Sequence, residues 1–243
     1  MEMKTPPTTR TSRNMMRTIP GQPGKLDRGS RLSQFFLNKV AAIPILPASG
    51  IYNLTISHEK KFLWYRVAKV GTRTILNHFR ERNIPLDVEH SSRMRYVPKT
   101  YANYFKFAFV RNPWDRLVSC WLDKVVNFKG ELFRFTPAEA EKMQVFGNFV
   151  DYVAGIDVTS CDRHFRLQSA LIDLNNVDYL GRQETFAEDF VFICNRLGIE
   201  CAKIDPHNVS KERKPYHEYY TDEIRAKVAE IYRKDVQMFG YEF

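Results

Sequence analysis

Apolar residues open a strand–loop–helix unit early in the chain. Residues 61–67 (KFLWYRV) are continuously apolar and aromatic apart from their two basic residues, which predicts a strand. Behind them, Ile75, Leu76 and Phe79 recur at helical spacing in residues 74–82 (TILNHFRER). Only a short glycine-containing loop separates the two patterns. The segment therefore predicts a strand that runs through a tight loop into a helix.

A second unit of the same kind follows. Residues 106–110 (KFAFV) predict a strand, and residues 113–127 predict a helix. Asn112 is a favourable N-cap, and Pro113 fits the first helical position because its missing N–H has no partner there. Two strand–helix units in succession predict a parallel sheet with helices on both faces.

The rest of the chain alternates short helical and extended patterns. Helices are predicted near 137–143, 148–155, 162–173, 186–197 and 221–239, a strand at 177–180, an irregular apolar lead-in at 33–50 and a polar loop at 203–214. Right-handed crossovers place the ends of parallel strands at one edge of the sheet, where such sheets bind ligands. The sequence therefore predicts one α/β domain over residues 33–243.

Charge changes this picture only in part. The chain of 243 residues has a net charge of +9, and residues 1–32 hold seven basic residues against two acidic ones. We interpret residues 1–32 as a flexible basic tail. The basic excess suits an anionic ligand, but it is equally common in proteins without one.

Cysteine spacing and hydropathy restrict the expected metal sites, membrane spans and cellular compartment. Cys120, Cys161, Cys194 and Cys201 form no CxxC pair and no Cys/His pattern with zinc spacing, so no metal is predicted. The sequence contains no stretch of about 20 apolar residues, so no membrane span is predicted. A reducing, cytoplasmic location is the simplest expectation. The oligomeric state is not indicated.

The loop Lys69–Thr74 (KVGTRT) is the first candidate for ligand chemistry. It connects the first strand to its helix, whose N-terminus carries a partial positive charge. Gly71 permits close approach of backbone N–H groups to an anion, Lys69 adds a full charge, and Thr72 and Thr74 add hydroxyls. The Walker A pattern GxxxxGK[ST] is absent. The loop is a candidate phosphate cradle, although many such glycines only form the turn.

Arg111 and Ser119 are the second candidate pair. Arg111 leaves the second strand beside the first loop, and Ser119 lies eight residues later on the following helix. A guanidinium can form two parallel hydrogen bonds to a phosphate, while a hydroxyl donates a further one. Alternatively, Arg111 pairs with Asp115 and Ser119 is a small core residue.

Together, these two segments resemble the nucleotide-binding motifs of sulfotransferases that use 3′-phosphoadenosine 5′-phosphosulfate (PAPS). Lys69–Thr74 resembles the loop for the 5′-phosphosulfate, and Arg111 with Ser119 resembles the pair for the 3′-phosphate. The run RNPWDRLVS is most similar to R-D-P-x-x-R-L-x-S of the membrane-type carbohydrate (family 2) sulfotransferases. Asn112 stands where that family has aspartate, and Ala68 where it often has proline.

Further segments continue the resemblance in the same order. Residues 162–168 resemble D/E-x-H-W-x-x-Q, residues 181–190 resemble G-R/K-x-E-x-x-x-x-D-F, and residues 208–241 resemble the C-terminal pattern of the family. The resemblance implies a P-loop-like, three-layer α/β fold that binds PAPS without a metal. It implies that Lys69 neutralises the 5′-phosphate oxygen as the S–O bond breaks. The implied nucleotide-binding residues are Lys69, Val70, Gly71, Thr72, Arg73, Thr74, Arg111, Ser119, Arg182 and Lys211.

Two of these residues have alternative interpretations. Arg182 either reaches the nucleotide or pairs with Glu184. Lys211 belongs to a basic run that either closes over the nucleotide, meets an anionic acceptor or is a solvated surface.

An acceptor hydroxyl or amine needs a base, and histidine suits neutral pH. We choose His90, which lies between the two motifs, 21 residues before Arg111, and resembles in position the base histidine of the uronyl 2-O-sulfotransferases. Glu89 and His164 are the alternatives.

Two other functions fit parts of the pattern. One is a P-loop kinase that uses ATP, against which the missing Walker A residues argue. The other is a non-catalytic protein that binds polyanions such as heparin or nucleic acid through the basic tail. We expect a sulfotransferase that acts on a carbohydrate or a small metabolite and has no nucleic-acid ligand.

Overall fold

Six strands are present in the computed structural model, which describes residues 15–43, 50–91, 93–128, 130–201 and 213–243. The strands are β1 (Thr18–Ile19), β2 (Gln22–Leu26), β3 (Leu54–Ser57), β4 (Phe62–Tyr65), β5 (Phe105–Val110) and β6 (Tyr179–Arg182). The first two strands form a hairpin, and the other four form one sheet in the order β3-β4-β5-β6.

The sheet is mostly parallel, as the alternating pattern predicts. β4 pairs with β5, and β5 pairs with β6, both in parallel, with Tyr65 opposite Ala108 and Val110 opposite Arg182. β3 is an antiparallel edge strand that the sequence analysis does not predict. The carboxyl ends of β4, β5 and β6 therefore share one edge.

Helices flank the sheet. They are α1 (Arg28–Ala41), α2 (Thr72–Glu81), α3 (Pro113–Trp121), α4 (Pro137–Lys142), α5 (Phe146–Ala154), α6 (Phe186–Leu197), α7 (Asp222–Ile231) and α8 (Arg233–Phe239). A π-helical turn, Leu122–Asn127, extends α3. The helices behind β4 and β5 and the helix closed by Gly198 confirm the corresponding predictions.

Aromatic side chains join the sheet to its helices. Phe79 of α2 packs on Phe62 of β4 at a ring separation of 5.1 Å and on Phe190 of α6 at 6.1 Å. Trp64 of β4 stacks on Phe107 of β5 at 5.9 Å. All five side chains are fully buried, so they fix α2 and α6 against one face of the sheet.

Two of the predicted helices differ from the structure. Residues 162–173 form turns with a single 3₁₀ segment, Gln168–Ala170. Asp162 explains why no helix begins here. Its carboxylate accepts from the backbone N–H of His164 and so competes with helical hydrogen bonds. The predicted helix 221–239 is two helices, which meet at the buried Tyr232.

The N-terminal prediction also needs correction. Residues 18–26 form a hairpin, and α1 replaces the irregular lead-in predicted from residue 33. Met16 is buried, and its backbone N–H donates to the Tyr101 hydroxyl at 3.1 Å. Asp27 begins α1 by accepting from the N–H of Ser30 at 2.7 Å. The packed part of the chain therefore begins before residue 33, while residues 1–14 lie outside the described residues.

Candidate active site at the carboxyl edge of the sheet

The loop between β4 and α2 turns sharply through two left-handed residues. Lys69 has φ = 73° and Gly71 has φ = 79°, with the fully buried Val70 between them. Thr72 closes the loop, since its hydroxyl donates to the carbonyl of Val67 at 3.0 Å. Gly71 is the N-cap of α2 and has no side chain with which to form a capping hydrogen bond. The helix therefore presents the positive end of its dipole at the loop.

Gly71 is required by its surroundings as well as by its backbone. A Cβ at this position would lie 2.7 Å from a ring carbon of Phe186 and 3.1 Å from Gln183 Oε1. The close approach therefore packs the loop against the start of α6. Gln183 Oε1 is buried and has no partner among the described residues, which leaves an unused acceptor beside the loop. The sequence analysis did not identify Gln183.

Lys69 is held by an acid from the next helix. Its Nζ lies 2.7 Å from Asp123 Oδ2 in the π-helical turn, and Lys124 approaches the same carboxylate at 3.1 Å. Burial lowers the pKa of Lys69, although Asp123 opposes that shift. Burial also acts to raise the pKa of Asp123, but hydrogen bonds from Lys69 and Lys124 outweigh it and lower the pKa. The lysine is therefore placed at the loop by a partner that the sequence analysis missed.

Arg111 joins the two predicted motifs. Its Nη1 donates to the carbonyl of Lys69 at 3.0 Å, and its Nε and Nη2 contact Asp115 Oδ2 at 2.7 Å. Gln168 fixes the Arg111 backbone by accepting from its N–H at 2.9 Å and donating to its carbonyl at 2.8 Å. Burial lowers the pKa of Arg111. A guanidinium has five N–H donors, so two remain for a ligand.

One face of α3 and its extension links these cations. Asp115, Ser119 and Asp123 are spaced at i, i+4 and i+8, so they lie on a common side. Asp115 binds Arg111 and Arg213 at one end, and Asp123 binds Lys69 at the other. Ser119 lies between the two ion-pair groups, and none of the described residues forms a hydrogen bond with its hydroxyl. The predicted phosphate contacts are therefore brought together along one helix face.

Asn112, the departure from the family pattern, has a structural explanation. Its Oδ1 accepts from the N–H of Trp114 at 3.1 Å and caps α3. Its Nδ2 donates to the carbonyl of Glu242 at 2.7 Å and to the Tyr216 hydroxyl at 3.3 Å. An aspartate would supply the cap but not these two donors. The amide therefore ties the N-terminus of α3 to the C-terminal segment.

Arg116 connects the loop to the segment that carries His164. This fully buried side chain donates to the carbonyls of Ala68 at 3.1 Å, Arg166 at 3.0 Å and Arg163 at 3.0 Å. One guanidinium thus bridges the residue before Lys69 and the residue before His164. The sequence analysis noted Arg116 only as part of a motif, because nothing in the sequence shows which carbonyls it meets.

His164 forms a dyad with Asp162. His164 Nδ1 lies 2.7 Å from Asp162 Oδ1, and only a protonated Nδ1 can donate to the carboxylate. The neutral ring then keeps its lone pair on Nε2, which has no hydrogen-bond partner among the described residues. Burial lowers the pKa of His164, while Asp162 opposes this shift. The arrangement orients a neutral imidazole as a proton acceptor.

His90 is arranged differently. Arg66 Nη1 lies 3.0 Å from His90 Nδ1, and a guanidinium can only donate. The same Nη1 lies 3.4 Å from His90 Nε2, so Arg66 faces the lone pair of the neutral ring whichever nitrogen carries it. Burial, together with Arg66 and Arg163, lowers the pKa of His90 to about 4. To act as a base, His90 would have to release Arg66.

The remaining predicted residues are spread around this edge. Arg73 is exposed, Thr74 lies in the first turn of α2, and the Glu89 carboxylate binds Arg80 at 2.8 Å. Arg182 donates to the Phe239 carbonyl at 2.6 Å and lies over the Tyr241 ring, so its guanidinium anchors the C-terminal segment. Glu184, its alternative partner, instead accepts from the N–H of Asn112 at 2.6 Å. Lys211 lies outside the described residues.

A separate group of possible metal ligands lies away from this edge, on α2 and at the end of α6. His78, Cys194 and Cys201 bring their ligand atoms within 4.8 Å of one another, and no other such group occurs within the described ranges. The His78 nitrogen nearest Cys194 already contacts the Glu200 carbonyl at 3.1 Å. Because this nitrogen is occupied, only two thiols remain as metal ligands, and we assign no metal to the group.

Comparison with known families explains why these segments converge. The model of the sulfotransferase family (Sulfotransfer_2) matches residues 52–242, nearly the whole described domain. The chain belongs to the sulfotransferase family.

The sulfotransferase chain also resembles a curated protein. It is 25% identical over 200 residues to carbohydrate sulfotransferase 10 of Xenopus laevis. The alignment covers 65% of this chain and 56% of that protein. The matched part thus spans little more than half of the relative's length. These two findings confirm the relationship to family 2 carbohydrate sulfotransferases. No solved structure matches this sulfotransferase.

Within the described part of this sulfotransferase, every helix is too short or too polar to cross a membrane.

Proposed function

We propose that this protein transfers the sulfuryl group of PAPS to a hydroxyl or amine of an acceptor. The observation that carries the proposal is the contact of Arg111 Nη1 with the Lys69 carbonyl at 3.0 Å. It joins the two motifs that resemble the 3′-phosphate and 5′-phosphosulfate sites, at the edge where parallel sheets bind ligands. The P-loop-like character of the fold belongs to the same proposal.

The donor would lie along the loop and the adjoining face of α3. Lys69 would leave Asp123 for the 5′-phosphate oxygen, where negative charge develops as the S–O bond breaks. The remaining N–H donors of Arg111 and the hydroxyl of Ser119 would hold the 3′-phosphate. Because these side chains supply the positive charge, the proposal needs no metal ion.

The geometry favours His164 over His90 as the base. His164 Nε2 has an unoccupied lone pair and a carboxylate behind the ring, whereas the His90 lone pair accepts from Arg66. In the proposed step, the acceptor proton passes to His164 Nε2 and the acceptor oxygen or nitrogen forms a bond to sulfur. The bond from sulfur to the 5′-phosphate oxygen breaks, and 3′-phosphoadenosine 5′-phosphate departs.

The acceptor class rests on similarity. The relative's name specifies carbohydrate, and we extend that class to this chain as part of the proposal. A screen with labelled PAPS against saccharides, and against small hydroxylated metabolites as the comparison set, identifies the acceptor.

Nucleotide binding tests the donor half of the proposal. Isothermal titration should show tight binding of 3′-phosphoadenosine 5′-phosphate and weak binding of adenosine 5′-phosphate. Arg111→Ala should weaken the first by about 1.5–3 kcal/mol and the second far less, because the 3′-phosphate loses its charge-assisted hydrogen bonds, whereas the 5′-phosphate loses only the support that Arg111 gives to the Lys69 carbonyl. Tighter binding of ATP with magnesium than of the bisphosphate would instead favour a kinase.

Turnover tests the base. His164→Ala should lower kcat by about 10²–10⁴-fold at unchanged bisphosphate affinity, since general base catalysis is worth that much. His90→Ala is the matched comparison and should retain most of the wild-type kcat. The reverse order of effects would return the base to His90.

A further inference from the structure

Helix α1 is attached to the domain through its polar side. Gln34 donates to the Arg95 carbonyl at 2.6 Å and accepts from the Arg95 N–H at 2.9 Å. Asn38 accepts from Arg95 Nε at 3.0 Å, and Ser30 is buried. At 3.6 residues per turn, these residues share one side of the helix. Polar groups therefore occupy much of the side that an amphipathic helix ordinarily fills with apolar ones, and Leu37 is the apolar residue that packs there.

The opposite side of α1 and its C-terminal extension carries exposed apolar side chains, with Lys39 among them. Leu32, Phe35 and Phe36 are 57%, 55% and 58% exposed, and Val40 and Ile43 are also exposed. Leu32 and Phe36, four residues apart, fall within roughly 40° of one another around the helix axis. Scattered exposed apolar residues are ordinary, but a continuous stripe on one helix marks an interaction surface. We call these five residues the α1 stripe.

The charges beside the α1 stripe indicate the partner. Arg28, Arg31 and Lys39 are exposed, and α1 contains no acidic residue. Lys39 Nζ lies 5.6 Å from the centre of the Phe35 ring, so the basic and aromatic groups are adjacent. Helices with large apolar side chains beside lysine and arginine bind the surface of anionic bilayers. We propose that the α1 stripe lies on an anionic lipid surface, with the three basic residues facing the headgroups.

A second copy of the chain is a poorer occupant. Two α1 helices packed through the stripe would bring Arg28, Arg31 and Lys39 of both copies together without an acid on either helix. Like charges across an interface oppose association, whereas anionic headgroups neutralise all three. Charge complementarity therefore selects the lipid surface.

The hairpin connects this surface to the candidate active site. It immediately precedes α1, and the Pro23 carbonyl accepts from the N–H of His90 at 3.1 Å. The β1 residue Thr18 likewise donates its N–H to the Asp87 carbonyl at 2.7 Å. A membrane-bound α1 would thus hold the segment that carries His90 close to the bilayer surface.

Vesicle sedimentation tests the inference. The full chain should sediment with vesicles of equal parts phosphatidylcholine and phosphatidylserine, and weakly with phosphatidylcholine alone. Phe35→Ser with Phe36→Ser should lower the partition constant by about tenfold or more. Arg31→Glu with Lys39→Glu should lower it by a similar factor, and high salt should reduce wild-type binding.

The matched control replaces two exposed apolar residues elsewhere, Leu132→Ser with Met238→Ser, and should bind vesicles as the wild type does. Each variant should keep the wild-type Tm, since the replaced side chains are exposed. Wild-type protein that stays in the supernatant, or Phe35/Phe36 variants that still sediment, would overturn the inference. A dimer that forms without lipid and is lost in those variants would also overturn it, because the stripe would then bind a second copy.

Discussion

Lys69 Nζ lies 2.7 Å from Asp123 Oδ2, which ties the loop after β4 to the π-helical extension of α3. The pair places the cation at the loop, and Asp123 competes with an incoming phosphate for Lys69. π-Helical turns inside α-helices are often found at functional sites. This contact is the basis for the first prediction.

Asp123→Asn should release Lys69 toward an incoming phosphate. The variant should lose about 1–2 kcal/mol of stability without ligand, because a charge-assisted hydrogen bond is removed. Thermal unfolding should then show a larger rise in Tm on adding 3′-phosphoadenosine 5′-phosphate than in the wild type. Asp151→Asn, which breaks the exposed ion pair with Lys227, is the control and should leave the ligand-induced shift unchanged. Equal shifts for Asp123→Asn and wild type would contradict the role of the pair.

Gly71→Ala should destabilise the fold through two effects. The new Cβ would meet Phe186 at 2.7 Å, and alanine disfavours φ = 79°. Gly198→Ala measures the backbone effect alone, since φ is +60° there and no atom lies within 4 Å of the new Cβ. Chemical denaturation should show a loss of about 1 kcal/mol at Gly198. A loss about 1–3 kcal/mol larger is expected at Gly71, where overpacking adds to it.

Arg116→Lys should weaken the connection between the loop and the His164 segment. Lysine offers a point charge, which cannot meet the carbonyls of Ala68, Arg163 and Arg166 at once. Buried carbonyls without donors cost about 1–3 kcal/mol, so the free energy of unfolding should fall by at least that amount. kcat should fall as well, because the loop and His164 lose their shared support. A fully active variant with wild-type Tm would show that the bridge is dispensable.

His90 should make stability depend on pH. Burial, Arg66 and Arg163 lower its pKa from 6.5 in the unfolded chain to about 4 in the folded protein. The folded state therefore binds the proton less readily, so stability is fully present above about pH 6.5 and is lost as the pH falls toward 4. His90→Gln removes the titrating group, and urea unfolding between pH 7 and pH 4 should then show a flatter pH dependence. An unchanged slope would mean that other groups dominate.

Asp162→Asn tests whether the dyad orients His164. An amide can donate to Nδ1, which would place the ring proton on Nε2 and remove the lone pair from the acceptor side. kcat should fall by about 10²–10⁴-fold, while the KM for PAPS should change little. Combining Asp162→Asn with His164→Ala should cost no more than His164→Ala alone. Additive losses would assign the two residues to separate roles.

The sequence by itself determined the local units of the site. Hydrophobic runs predict β4 and β5, helical spacing predicts α2 and α3, and Asn112 with Pro113 marks the start of α3. These features depend on residues close together in the chain, so local patterns predict them. The motif of Lys69 and the motif of Arg111 were recognised as a pair because both resemble nucleotide-binding motifs of one family, in the order of that family.

Only the tertiary structure decided which groups meet across the fold. Asp123 reaches Lys69 over 54 positions, and Arg116 reaches Ala68 over 48, through contacts that no local pattern encodes. The sequence alone does not distinguish His90 from His164 as a base. In the fold, Arg66 faces the lone pair of His90, whereas Asp162 orients the ring of His164. The exposed α1 stripe likewise appears only once Gln34 is seen bound to Arg95. Hydrogen bonds between distant residues set these protonation states and orientations, and the folded chain alone specifies them.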